Sequence, residues 1–375
     1  MQVCFFSAQY LPTIGGVERY TYNLAKRLIA AGHQVLVVTS LKPGLAQRET
    51  DPSGIRILRV PCYLAMNGRF PFPYPGALKE LEKESIDFAV IQTRFYPLSF
   101  DASWFCRKKK IPAIVVDHST GHMPMGNPIL NFAGGLYEHF AASYIKRRVN
   151  GFYGVSLAVN QWLTHFGIKA KGCLHNAVDP EELEKTASQK DWRAELGLAP
   201  DTRLVAFVGR IIPEKGVEPL ARAFGALNRQ DARLLVAGEG PQLEQLKALG
   251  LPGVIFLGAV PYPDVLALLR QADLYCLPTT YAEGFPTTFL EAAACGCPIL
   301  STVTGGSKEL MPTPDYGIQL EDTNPETWKK ALAAALENES WRKEASRLCR
   351  ANLDAHFTWD RVAGELLTIL QSSGR

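Results

Sequence analysis

Residues 203–217 read RLVAFVGRIIPEKGV, and the fold is decided there. The uncharged apolar run Leu204 to Val208 ends at Gly209, Arg210 and Lys215 follow, and Gly216 opens a helical pattern. A short apolar run closed by glycine and followed by helical periodicity is the repeating unit of a parallel sheet with crossover helices. Toward the C-terminus the same grammar recurs in LLVAG from Leu234, VIFLG from Val254, DLYCLP from Asp273 and PILST from Pro298. Toward the N-terminus a polar stretch from Asp179 to about Asp201 interrupts it. Before that stretch come VCFFS from Val3, a helix from Val17 to Ala31 closed by Gly32, and QVLVVTS from Gln34. IRILRV from Ile55, FAVIQ from Phe88, AIVVD from Ala113, GFYGVS from Gly151 and KGCL from Lys171 continue the series.

The pattern predicts an α/β protein of two Rossmann-like domains facing a cleft. The first spans 1–180 and takes back a C-terminal helix at about 356–375; the second spans 181–355. Pro325 to Leu370 reads as helical throughout, with Trp328, Trp341 and Trp359 as apolar anchors. A chain of 375 residues is also longer than one compact core usually is.

Composition narrows the function classes. Forty Lys and Arg against 37 Asp and Glu, with 47% apolar residues, describe an ordinary folded protein and exclude a bulk polyanion such as nucleic acid as the partner. Eight scattered cysteines without metal-ligand spacing read as buried reduced thiols and suit the cytoplasm. The N-terminal MQVCFFSAQY reads as a first strand rather than a leader peptide. No stretch is apolar for long enough to span a bilayer.

The candidate chemistry gathers at strand ends. In an open α/β sheet ligands bind at the carboxyl edge, and there Arg210 and Lys215 beside a helix N-terminus can take a diphosphate. The segment Glu283-Gly284-Phe285-Pro286-Thr287 leads into a helix that carries Glu291 among Phe289, Leu290 and three alanines. Pro286 suits a first helical turn. A carboxylate in so apolar a setting needs a partner or a ligand, and a ribose diol would satisfy it. Glu283 can accept from sugar hydroxyls while the amides beyond Gly284 face phosphate. Gly15 and Gly16 open the first helix, without the full dinucleotide fingerprint. No Asp-x-Asp pair occurs, so protein cations and helix N-termini must neutralise a diphosphate and no metal is expected.

GGVERY from Gly15, VGRIIPEKG, GEGP from Gly238, FLGAVP around Leu257 and the E-x7-E segment ending at Glu291 together resemble the family 4 glycosyltransferases, in the family's order and over nearly the whole chain. The resemblance implies the GT-B fold and metal-independent sugar transfer with retention of anomeric configuration, using a nucleotide-diphosphate sugar as co-substrate. It implies that Arg210 and Lys215 hold the donor diphosphate, Glu291 the ribose, and Glu283 the donor sugar. It places the Phe285 and Thr287 amides near sugar and phosphate, and Glu239, Leu257 and Gly258 along the nucleotide. Gly16 would approach the diphosphate where any side chain obstructs. His118, in the loop HSTGHMP after AIVVD, would lie close to the donor sugar; His122 reads as incidental. Asn176 belongs to LHNAVDP, which departs from the family's Pro-Asn-Gly-Val-Asp.

The acceptor is expected on the first domain as a glycan or a lipid-linked molecule. Two stretches there invite this reading: Cys62 to Gly76, aromatic and proline-rich with Arg69 as its one charge, and the helix candidate Ile129 to Val149 with Lys146-Arg147-Arg148. The second, with Arg107 to Lys110, suits peripheral contact with an anionic membrane at the inner face of the cell membrane. The reading is thus a UDP- or GDP-dependent hexosyltransferase of cell-surface polysaccharide or glycolipid synthesis. The rivals are a nucleotide-sugar epimerase of the same shape, a non-catalytic sugar-nucleotide-binding protein and, more distantly, a nicotinamide dehydrogenase.

Overall fold

The computed structural model describes residues 1–13, 15–123 and 127–373. Pro124 of the HSTGHMP loop and the last two residues of the expected returning helix lie outside them. The chain divides into two units, 1–176 with 359–375, and 177–358; the expected divisions were at 180/181 and 355/356.

The first unit holds β1 (Gln2–Phe6), β2 (Gln34–Ser40), β3 (Arg48–Thr50), β4 (Arg56–Val60), β5 (Cys62–Ala65), β6 (Phe70–Pro73), β7 (Phe88–Gln92), β8 (Ala113–Asp117), β9 (Gly151–Gly154) and β10 (Gly172–Cys173). Eight of these form one sheet in the order β10-β9-β8-β7-β1-β2-β4-β3, parallel except for the edge pair β3 and β4. Strands β1, β7 and β8 are buried at every residue, which is why they read as unbroken apolar runs rather than alternating ones. Cys4, Phe6, Val38, Ile91 and Val115 from four of the strands share one core. β5 and β6 form a separate antiparallel hairpin. It comprises most of the aromatic stretch from Cys62, with Phe70 buried and Tyr63, Phe72 and Tyr74 exposed.

The C-terminal helix Trp359–Ser373 belongs to this unit. Trp359 meets Tyr20 edge-on at 5.4 Å, and Arg27 pairs with Asp360 at 2.7 Å.

The second unit holds β11 (Arg203–Val208), β12 (Ala232–Ala237), β13 (Val254–Gly258), β14 (Leu274–Leu277), β15 (Ile299–Thr302) and β16 (Ile318–Leu320), all parallel, in the order β13-β12-β11-β14-β15-β16. The order reverses beside β11, the switch point where open α/β sheets bind ligands.

The polar stretch 179–201 carries the helices Pro180–Thr186 and Trp192–Glu195, and buried Trp192 donates its indole N–H to the Asp264 carbonyl at 3.0 Å. Three expectations are corrected. The C-terminal region is three helices, Pro325–Glu337, Glu339–His356 and Trp359–Ser373, broken where Asn338 caps the second. Trp328 and Trp359 are buried, but Trp341 is only partly covered and donates to the Pro314 carbonyl. Finally, Pro286 is the residue before its helix, which starts at Thr287.

Candidate active site

The loop after β11 is built by backbone. Gly216 has φ +70°, and a Cβ there would come within 2.0 Å of the Pro278 carbonyl, so only glycine lets the turn Pro213–Lys215 lie against the end of β14. The Glu214 carbonyl accepts from the Thr280 N–H at 2.8 Å, the Tyr281 N–H at 3.1 Å and the Thr279 hydroxyl at 3.1 Å. Two neighbouring strand ends are thereby stitched into one surface.

On that surface Arg210 and Lys215 each lie 5.6 Å from the centre of the Tyr281 ring, and the ring face favours cations. Lys215 donates to Glu283, both side chains being largely covered. Two carboxyl-edge cations and the first carboxylate of E-x7-E are therefore neighbours. Tyr281 joins them without having been singled out in the sequence, where an aromatic two residues before Glu283 carries no period.

Glu291 is 4% exposed on the helix Thr287–Ala294 and accepts from the Tyr262 hydroxyl at 2.9 Å. Tyr262, 29 residues away, is a partner the sequence did not disclose. The Phe285 ring is buried edge-on against Phe357 at 5.3 Å, and it packs so closely on Gly306 that a Cβ there would be 2.4 Å away. With its ring in the core, Phe285 can meet a ligand only through its backbone. The Gly305-Gly306 pair after β15 was legible as a double glycine at a strand end and was overlooked. Gly284, Pro286 and Thr287 complete this turn. Glu239, exposed, is tied in through its carbonyl, which accepts from Ile211 N–H at 2.8 Å; Gly258, after Leu257 at the end of β13, accepts from Gly238 N–H at 2.8 Å.

In the first unit, His118 follows β8, with Nε2 2.7 Å from Gln92 Oε1 and its ring edge-on to Tyr20 at 4.9 Å. Burial lowers its pKa to about 4 against a weaker opposing pull from Asp117. The ring is therefore neutral at pH 7, with one nitrogen a donor and the other an acceptor. The loop rests on a buried charge cluster that sequence reading missed. Arg94, on the turn after β7, donates to Asp117 at 2.8 and 2.9 Å and to Glu138 at 2.8 Å, and all three side chains are almost wholly buried. Glu138 also accepts from the Met123 N–H at 2.9 Å, holding the loop's far end.

Gly16 starts the first helix, and a Cβ there meets nothing within 4 Å; at Gly15 it would lie 2.4 Å from Glu18. Within the unit's own packing only the tip of the Glu18 side chain comes close at Gly15, and that tip can swing aside. Asn176 is buried at the end of the first unit, its N–H donating to the Val155 carbonyl at 3.3 Å. Arg69 is exposed near the tip of the β5–β6 hairpin, where Gln9 bonds its carbonyl and that of Gly68.

Two doubly wound units, the second with paired cations and a buried carboxylate at its switch point, define a nucleotide-sugar-binding glycosyltransferase of the GT-B fold. Residues 14–182 match the family described as Glycosyltransferase Family 4, and residues 188–352 match the one described as Glycosyl transferases group 1. The chain belongs to glycosyltransferase family 4.

An uncharacterised glycosyltransferase of Methanocaldococcus jannaschii is 23% identical, covering 99% of this chain and 98% of that protein. A Corynebacterium glutamicum GDP-mannose-dependent mannosyltransferase that acts on a monoacylated phosphatidylinositol monomannoside is 30% identical over 51% of this chain and 52% of its own. Among solved structures, Anabaena HepE in complex with UDP superposes with a TM-score of 0.78 at 18% identity, covering 99% of this chain and all of that one.

Proposed function

We propose that the protein transfers a hexose from a UDP- or GDP-linked donor, with retention of configuration and without a metal at the diphosphate, to a glycan or lipid-linked acceptor in cell-surface polysaccharide or glycolipid synthesis. The observation that carries this reading is the convergence of Arg210, Lys215 and Glu283 around Tyr281, beside buried Glu291. As the sugar–phosphate bond breaks, negative charge grows on the leaving diphosphate, and two cations fixed at a strand edge stabilise it without reorganising. Lys215 is held by Glu283 until a phosphate competes for it, so donor binding and release of Glu283 toward the sugar hydroxyls are one event. Glu291, oriented by Tyr262, accepts from the ribose. The backbone from Gly284 to Thr287 serves sugar and phosphate, and Glu239 with Leu257 and Gly258 lines the nucleotide. In the first unit, Gly15 and Gly16 are candidates for a phosphate contact, neutral His118 is a candidate partner for a sugar hydroxyl, and Asn176 and Arg69 are secondary candidates. The eight cysteines are free thiols, which favours a reducing, cytoplasmic setting.

The helix Pro128–Ile145 supports a membrane-facing acceptor. Ile129, Leu130, Phe132, Leu136 and Phe140 are each at least half exposed, an apolar stripe near Arg147 and Arg148. Among the described residues no helix is long and apolar enough to cross a membrane, so the proposed contact is peripheral.

The test is a titration of the purified protein with UDP, GDP and their hexose conjugates, with and without EDTA, followed by NMR of the transfer product. Tight EDTA-resistant binding of one diphosphate series and an anomeric configuration matching the donor are expected; inversion or strict metal dependence defeats the reading. Donor binding with no transfer to any lipid or glycan would favour the non-catalytic alternative.

A further inference from the structure

One cluster of chemistry-bearing side chains takes no part in the donor site. His122 on the loop after β8, His139 on the helix Pro128–Ile145 and His165 on the turn after the helix Leu157–Leu163 are all exposed, and each places one ring nitrogen within 4.8 Å of the others. Nε2 of His139 and Nε2 of His165 are 3.2 Å apart. We propose that these three imidazoles bind a divalent transition ion, Zn²⁺ in the first instance, at a site separate from the donor diphosphate.

Several features go beyond chance proximity. Tetrahedral Zn²⁺ with bonds of about 2.0–2.1 Å sets its ligand nitrogens roughly 3.3–3.4 Å apart, close to the separation of the His139 and His165 pair. Closing the third side takes movements of the order of 1 Å, within reach of a side chain on a loop. Trp162 stacks on His165 with centroids 4.9 Å apart and planes 13° apart, and Phe166 sits 4.8 Å from His139, so two of the rings are held in place by neighbours.

Behind His122, Nδ1 lies 3.4 Å from buried Glu138, the carboxylate–histidine arrangement that fixes the orientation of a ligand imidazole. Glu138 leaves Nε2 as the nitrogen for the ion. Arg94, Asp117 and Glu138 together carry one net negative charge, which favours a cation on their exposed side. Three neutral imidazoles suit Zn²⁺, Cu²⁺ or Ni²⁺ over Mg²⁺ or Ca²⁺, and three protein ligands leave a fourth position to water. The ion would tie the His118 loop to two helical segments of the first unit. His122, which reads as incidental in the sequence, is on this view a ligand.

The experiment uses the untagged, chelator-stripped full-length protein, titrated with Zn²⁺ by calorimetry and with Co²⁺ by visible absorption. One ion per chain is expected, with intense tetrahedral Co²⁺ bands. His122→Ala, His139→Ala and His165→Ala should each weaken binding at least tenfold, while His356→Ala leaves it unchanged. His165→Gln serves as a second variant should the alanine disturb the Trp162 stack, and circular dichroism checks the fold of each. No stoichiometric binding, or binding that survives in the triple alanine variant, overturns the proposal.

Discussion

The carboxyl edge of the second sheet and the loop after β8 in the first both gather charged groups at a strand end, but by opposite means. At the second-sheet edge, glycine turns and carbonyls set the geometry, and the cations stay partly in water over an aromatic ring. At the β8 loop, an arginine and two carboxylates are sealed away from water, and the candidate His118 follows directly after one of them, Asp117. Losing a group at the first should cost chemistry while sparing the fold. At the second it should cost the fold first, because a buried charge without its partner is expensive.

The largest effect tests that contrast directly. Arg94→Met leaves Asp117 and Glu138 buried without a cation and should destabilise the protein by about 3–5 kcal/mol in urea unfolding; a loss well under about 1 kcal/mol would mean that the two carboxylates manage without it. Next, Lys215→Ala should lower kcat/KM for transfer by about 10²–10³-fold, or roughly 2.7–4 kcal/mol, with an unchanged unfolding midpoint. If stability falls instead and turnover holds, the pair with Glu283 is structural.

The third prediction concerns His118. Its folded-state pKa of about 4 lies below the ordinary 6.5, so between those values the unfolded chain binds a proton that the folded chain does not. Its contribution is therefore full above pH 6.5 and lost as the pH falls toward 4. After discounting for partial exposure it amounts to about 2 kcal/mol. His118→Gln should flatten the decline in urea midpoint between pH 7 and pH 4.5; an unaltered slope would mean that the ring protonates freely. Smallest, Tyr262→Phe removes the hydroxyl that donates to Glu291 and should weaken nucleoside-diphosphate binding by about 1 kcal/mol, close to fivefold, by calorimetry.

The same contrast explains what was legible. β7 and β8 begin and end where FAVIQ and AIVVD do, and the carboxyl-edge series is marked by glycines whose spacing follows from the strand-to-helix turn. Arg210, Lys215 and Glu283 stand out in the sequence as candidates because each lies at such a turn. Tyr281 and Tyr262 do not, since an aromatic partner needs only to arrive in space. The β5–β6 hairpin was missed because its prolines mask strand alternation, and β16 because three residues at a sheet edge carry too little pattern.

Local rules of strand burial, helix opening and turn chemistry were enough for two doubly wound α/β units and for the carboxyl edge of the second sheet, because those rules act over a few residues and leave periodic marks. Folding alone joined Arg94 to Asp117 and Glu138, 23 and 44 residues away, and drew His122, His139 and His165 together. A buried ion pair or a histidine triad has no period, and its partners are chosen by which elements the sheet sets side by side.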